Sequence, residues 1–565
     1  MKSRSLLAAA IVLVVAAVTV FADEIAPEPS EPLAPEAPEV SEPLAGSWVC
    51  GVGEADGQGR FDLIAAHTGT QSDDGAQVDV TRFEEGEVDD SSSAQIDPGE
   101  DARFELDDDP DELAGTMLSW QDGATVLWRE WALGGVDGLP EVTIAGGCAQ
   151  PAATEWVIPG FSTVDGDSAV LRLSNPHATA ANLALSFLTP EGEEQPVALE
   201  NLTVPAASVR EIDVNEFLPE EADLSAVVRV GSGRLSVEGV QFTDSQIGTV
   251  DGGSLLAAAP EARETWVVPW IAENDTTTSW LWVANPGEQT ASVELTMYTD
   301  EGGHVPQGLS EVSIPPGQMR RVDLGGTLPE DSEEVALAAR SNGVPVVVSG
   351  AVEVGADDPD RSGFAVQLGA YTTDTSWVTA GRTARIRTEA LLVSNPTGED
   401  ATVDVSIFDG SAILTPVEGL AVPAGSTRQV DIDEIRGDAA DWTAFVEASE
   451  GEVVVGRVGT SPDEDRMLRL IAAPAVPSAD WAAQSSGLVP VSESGLVSQL
   501  RTGQSPIPAV EDSAPESEDP DSEAQDADEP GEDATDGGTS DEPDEAEPDE
   551  AEQNEAPADP DADNG

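Results

Sequence analysis

The stretch VPAASVREIDV, Val204 to Val214, returns as IPPGQMRRVDL from Ile314 to Leu324 and as VPAGSTRQVDI from Val422 to Ile432, aligned without a gap. A weaker copy, IDPGEDARFEL, runs from Ile96 to Leu106. Two further landmarks keep the same period. Asn-Pro occurs at Asn175, Asn285 and Asn395, spaced by 110 residues each time, and a Trp-Val pair stands at Trp48, Trp156, Trp266 and Trp377, at spacings of 108, 110 and 111. Such repetition implies one supersecondary unit used four times. The units span 46–152, 153–262, 263–373 and 374–476.

Within a unit, short apolar alternations are broken by Gly, Pro, Asn and Asp, the pattern of strands in a sandwich or barrel. The third unit predicts strands at 266–268, 280–284, 293–298, 312–314, 321–324, 335–340 and 344–352. Seven strands in about 110 residues point to an all-β fold of four tandem immunoglobulin-like β-sandwiches. Residues 477–504 stay unassigned, with Trp481 and the Leu488 to Pro490 run as candidates to complete the last sandwich.

The 565 residues carry 110 acidic and 24 basic side chains, a formal net charge of −86. That balance disfavours nucleic acid and anionic membranes as partners, and it suits growth in strong salt. Lys2 and Arg4 precede an apolar run from Leu6 to Phe21, followed by Ala22 and the acidic Asp23. This reads as a signal peptide over 1–22 cleaved after Ala22, an uncleaved anchor being the alternative. No later stretch is apolar enough to span a bilayer. Residues 23–45 form a Pro/Glu-rich linker, and residues 505–565, with 25 acidic side chains and no basic one, an acidic tail. Both compositions predict disorder. The expected location is the cell envelope or the extracellular space.

Cys50 and Cys148, the two cysteines, bracket the first unit and predict a disulfide in an oxidising compartment. Closing a loop of about a hundred residues contributes roughly 4–5 kcal/mol in the chain-entropy model. His67, His177 and His304 fall at unrelated points with no metal or triad spacing, and no nucleophile elbow or phosphate loop stands out. No enzyme, cofactor or metal site is expected.

In the Arg-x-Ile/Val-Asp segments, Arg210 with Asp213, Arg320 with Asp323 and Arg428 with Asp431, the repetition favours a structural role. Strand alternation turns Ile212 and Val214 inward and the acids outward. Asn-Pro reads as turn punctuation. Acid clusters at Asp107 to Glu112 and at Asp357, Asp358 and Asp360 read as solvated loops, with weak calcium binding as the alternative. Arg436-Gly437-Asp438 matches an adhesion tripeptide that recurs by chance.

One feature exceeds the repeat template. Leu281 and Val283 correspond to Leu171 and Leu173 and mark the inward face, so Trp280 and Trp282 point outward, where the other units carry Val170 and Arg172 or Ala390 and Leu392. Outward tryptophans can stack on sugars or anchor a protein, unless a neighbouring unit covers them.

The Asn-Pro and Val-Pro-Ala-Gly landmarks resemble those of actinobacterial exported proteins of a domain-of-unknown-function family, over roughly 150–480. The resemblance implies export and tandem immunoglobulin-like repeats, and it supplies no catalytic residues. The expected function is that of an exported structural and interaction protein whose sandwiches form a spacer and binding rod for a protein or glycan partner at the envelope. Glycan binding through Trp280 and Trp282 is the alternative, and an envelope hydrolase the remote one.

Overall fold

The structure is a computed structural model that describes residues 45–477 apart from 53–59, 68–74, 107–113, 123–124, 134–141, 149–152, 245–249, 307, 329–333, 356–361, 383–387, 415–416, 437–440 and 463–467. The signal peptide, most of the linker, the acidic tail, residues 478–504, both acid clusters and residues 437 and 438 of the adhesion tripeptide lie outside the described residues. No described helix is long and apolar enough to cross a membrane.

Among the described residues the chain is nearly all β, in eight antiparallel sheets drawn in pairs from four consecutive segments. In the third segment one sheet runs Thr265–Ala272, Glu334–Ser341, Ala291–Tyr298, with Val312–Ile314 also on the last of these. Its companion runs Gln318–Asp323, Thr277–Asn285, Val347–Val354, Gly363–Leu368. The same order recurs in the second and fourth segments. Here the first two strands lie in different sheets, whereas an immunoglobulin domain keeps its first two strands together.

The landmarks now have physical reasons. Each opening tryptophan donates its indole N–H across to the opposite sheet: Trp48 to the carbonyl of Thr125 at 2.7 Å, Trp156 to Leu235 at 2.8 Å, Trp266 to Val346 at 2.7 Å and Trp377 to Val453 at 3.0 Å. The donor is satisfied and the ring stays in the core. The Asn-Pro asparagine ends a strand and ties it to the Val-Pro-Ala landmark. Asn285 Nδ2 donates to the carbonyls of Gln289, Ile314 and Pro315 at 2.7, 3.0 and 3.2 Å, and Oδ1 accepts from Gly287 N at 3.1 Å. Asn175 and Asn395 repeat the arrangement. Asn285→Ala strands buried carbonyls and is expected to cost about 1–3 kcal/mol in chemical denaturation, an effect a surface asparagine would not show.

In the landmark strand, Ile212 and Val214 are buried and Asp213 is exposed, capping Asn215 N at 2.9 Å. That is the structural role expected.

The segments do not extend into a rod. The closing strands Val142–Gly147, Gly252–Ala257, Gly363–Leu368 and Leu468–Pro474 pack side by side about one axis, the fourth returning against the first. Small residues allow the approach: a Cβ on Gly146 would lie 2.7 Å from Leu255, and one on Gly147 2.7 Å from Val476. Ser254 Oγ donates to the Val366 carbonyl at 3.1 Å and accepts from Val366 N at 2.7 Å.

Away from the axis, the outer face of each segment's second sheet packs on the opening strand of the segment before it. The Thr277–Asn285 and Val347–Val354 pair covers Glu155–Phe161, and the Thr388–Asn395 and Val454–Pro462 pair covers Thr265–Ala272. Likewise Asp167–Asn175 and Ser236–Thr243 cover Ala45–Val52, while Thr125–Leu133 of the first segment covers Ser376–Arg382 of the fourth. The last contact closes a ring. The apolar cores are continuous across the seams, one cluster joining the second and third segments.

Candidate functional site

Ligand binding through Trp280 and Trp282 needs exposed rings, and the structure shows the alternative, burial: they are 5% and 1% exposed. Their face is as read, since Leu281 and Val283 turn into the sandwich at 0% exposure. Over Trp282 the cover comes from the second segment. The Trp282 ring occupies the space over Gly160, where a Cβ would fall 2.2 Å away, and its Nε1 donates to Asp223 Oδ1 at 2.8 Å. Trp280 lies between the Arg321 guanidinium, 4.0 Å from its centroid, and Phe364, 6.1 Å away. No sugar or protein partner can reach either ring in the closed molecule.

The four seams use one strand position in four ways. Cross-strand register pairs Leu63 with Arg129, Leu171 with Gly239, Leu281 with Gly350 and Leu391 with Arg457. One residue earlier, Trp128, Glu238, Ser349 and Gly456 face the preceding segment. Ser349 Oγ donates to the Pro159 carbonyl, and Gly456 leaves room for Pro269, which would sit 2.6 Å from a Cβ. These two seams carry little charge.

Both seams of the first segment are charged. Arg129 reaches Glu238 Oε1 at 2.7 Å, and the same oxygen accepts from Gly51 N at 3.1 Å, all of it buried. From the matching position in the fourth segment, the fully buried Arg457 bonds Glu389 inside its own sandwich and lies 3.6 Å from Glu130 of the first. Trp442 Nε1 holds the other Glu389 oxygen at 3.1 Å. Burial pushes Glu130 and Glu389 up to about 7 against the opposing pull of Arg457. A lone arginine within VVVGRV, Val453 to Val458, was the one sequence signal for this cluster.

At the axis a cavity of about 200 Å³ lies between the ends of the closing strands, walled by Trp48, Trp266, Trp377, Leu255 and Leu368. The indole donors are committed to carbonyls, so these rings offer apolar surface, while Arg129, Glu238, Arg263 and Gln367 also border the cavity. Cys50 and Cys148 form a disulfide whose Cys148 borders this cavity. It stands where backbone bridges Val157 to Ala259 and Val267 to Ala370 tie opening strand to closing segment elsewhere. Val378 pairs with Val476 in the same way.

The histidines remain scattered: His67 is buried at a strand end, His177 lies in a turn and His304 is exposed. Burial, with Arg234 nearby, holds His177 below the usual histidine range. Among the described residues no three His, Cys, Asp or Glu groups converge to hold a metal ion.

A family model described as a family of unknown function (DUF5719) matches residues 121–374 and 370–458, together more than half of the chain. No curated protein matches. Among solved structures, the crystal structure of Thermotoga maritima 1070 is 21% identical, over 20% of this chain and 96% of its own, with a TM-score of 0.17. A Ca2+-stabilized adhesin with which an Antarctic bacterium binds ice is 13% identical, over 77% of this chain and 99% of its own, with a TM-score of 0.09. The tetra-tandem repeat from the extending region of a large adhesion protein is 12% identical, over 74% and 95%, with a TM-score of 0.07. Likeness at these scores carries no argument.

Proposed function

The chain belongs to DUF5719, a family of unknown function, and from that premise we propose that it is an exported, non-catalytic structural and interaction protein of the cell envelope or extracellular space. In this reading residues 1–22 are a signal peptide, 23–45 a linker, and the four segments are tandem β-sandwich repeats followed by an acidic tail. Their immunoglobulin likeness is that of two packed antiparallel sheets, not of strand order. The exported actinobacterial proteins that the landmarks resemble belong to the same proposal.

The observation that supports it best is the seam pattern. Four repeats bury their outer sheet faces on one another and so build one rigid scaffold, which presents loops and an acidic surface to a protein or glycan partner. The Cys50–Cys148 bond accords with an oxidising compartment. The test is to express the chain from its own leader, fractionate the cells, measure intact mass and label thiols. A product beginning near Asp23, outside the cytoplasm and with no free thiol, is the expected result. A cytoplasmic product with two reactive thiols contradicts the proposal.

A further inference from the structure

The axial cavity of about 200 Å³ takes walls from all four segments, so an occupant would touch every one of them. Its tryptophans, Trp48, Trp266 and Trp377, have spent their N–H groups on carbonyls and offer only ring surface, next to Leu255 and Leu368. The polar part of the wall is not satisfied from within. Glu238 borders the cavity at 3% exposure; its Oε1 accepts from Arg129 at 2.7 Å and from Gly51 N at 3.1 Å, while no protein group donates to its buried Oε2. Gln367, also buried on this wall, donates its Nε2 to the Trp270 carbonyl at 2.7 Å, and its Oε1 accepts from no protein group. Buried acceptors beside an apolar cavity call for donors, because an unpaired oxygen carries its full desolvation cost.

Charge fixes the kind of occupant. Four charged residues border the cavity and they pair off, Arg129 with Glu238 at 2.7 Å and Arg263 with Glu261. An ammonium or a carboxylate would find no free counter-charge there, and an ion without one stays in water. Size is the third constraint. An apolar cavity of about 150 Å³ admits benzene, so this one suits a single aromatic ring system with little beyond it. Glu261 and Arg263 are exposed, so the cavity meets solvent on their side.

We infer that the axis is a binding site for a small neutral aromatic molecule bearing an N–H or O–H donor, its ring among the three tryptophans and its donor on Glu238 Oε2. Aromatic faces favour a flat, polarisable partner, and the carboxylate oxygen selects the donor.

The test titrates indole into the full chain by calorimetry. Indole supplies one ring system and one N–H donor, 1-methylindole keeps the rings without the donor, and benzoate and benzylammonium carry a charge. The expected result is one indole bound per chain, 1-methylindole bound at least about tenfold more weakly, and neither ion bound where indole saturates. A variant fixes the location. Ala257 is half-buried, borders the cavity and lies opposite Glu238 in the register, on the strand face of Leu255. Ala257→Phe should fill the site and abolish indole binding while circular dichroism shows the protein still folded. Four results would overturn the site: no saturable binding of indole to the parent protein, equal affinity for 1-methylindole, tighter binding of either ion, or unchanged indole affinity in folded Ala257→Phe. The parent series decides alone should that variant fail to fold.

Discussion

Replacing Trp280 by Val and Trp282 by Arg, the residues at the matching positions Val170 and Arg172, is expected to lower stability by about 3–5 kcal/mol for each indole removed. On sequence alone the exchange looks harmless, because both side chains come from a working segment. The structure shows why it is not. Arg172 is buried beside Glu211, its Nε 2.6 Å from Oε1, and its guanidinium lies 4.6 Å from the Trp131 centroid. In the third segment the residue across from position 282 is Arg321. An arginine there meets a like charge, leaves a cavity over Gly160 and removes the donor that Asp223 accepts. Chemical denaturation followed by tryptophan emission should show the loss, and acrylamide should barely quench either indole in the parent protein. A cost near 1 kcal/mol with ready quenching would mean that neither ring is buried as described.

Removing the disulfide as Cys50→Ala with Cys148→Ala is expected to cost about 4–5 kcal/mol, since the bond closes a separation of 98 residues. The loss should be local at first. The bond substitutes in the first segment for the backbone bridges that the other three make at the same point. It also anchors Val142–Gly147, whose far side faces the closing strands of the second and fourth segments. Denaturation with and without reductant should therefore split into an early transition of the first segment and a later one of the rest. Coincident transitions at unchanged denaturant concentration would remove the disulfide from this account.

Much of the strand pattern was legible. In the third segment 312–314 is found as Val312–Ile314, and 293–298 lies within Ala291–Tyr298. The closing strand Gly363–Leu368 was missed. A short Gly-Phe-Ala-Val-Gln-Leu run gives little alternation, because it is buried on its sandwich face and again on the axis. Without that strand there was no reason to bend the rod into a ring.

The seams were hidden for a related reason. The positions that build them differ in every copy, Trp128, Glu238, Ser349 and Gly456, so a comparison of repeats dismisses them as variable. Trp280 and Trp282 were placed on the correct face, yet alternation within one strand is blind to what a neighbouring segment lays over that face. Arg129 and Arg457 were the missed clues. Each is an arginine opposite a core leucine; Arg129 finds its carboxylate, Glu238, in the next segment, whereas Arg457 pairs with Glu389 of its own and also reaches toward Glu130 of the first.

Closure of the ring is tested most directly by a cross-link between Asp101→Cys and Thr443→Cys, whose parent side chains hydrogen-bond across the seam although 342 residues apart. At low protein concentration and pH 5, mild oxidation or a short bis-thiol reagent should give an intramolecular link in nearly every monomer. Failure to link, or linkage only between molecules, would show that the first and fourth segments do not meet.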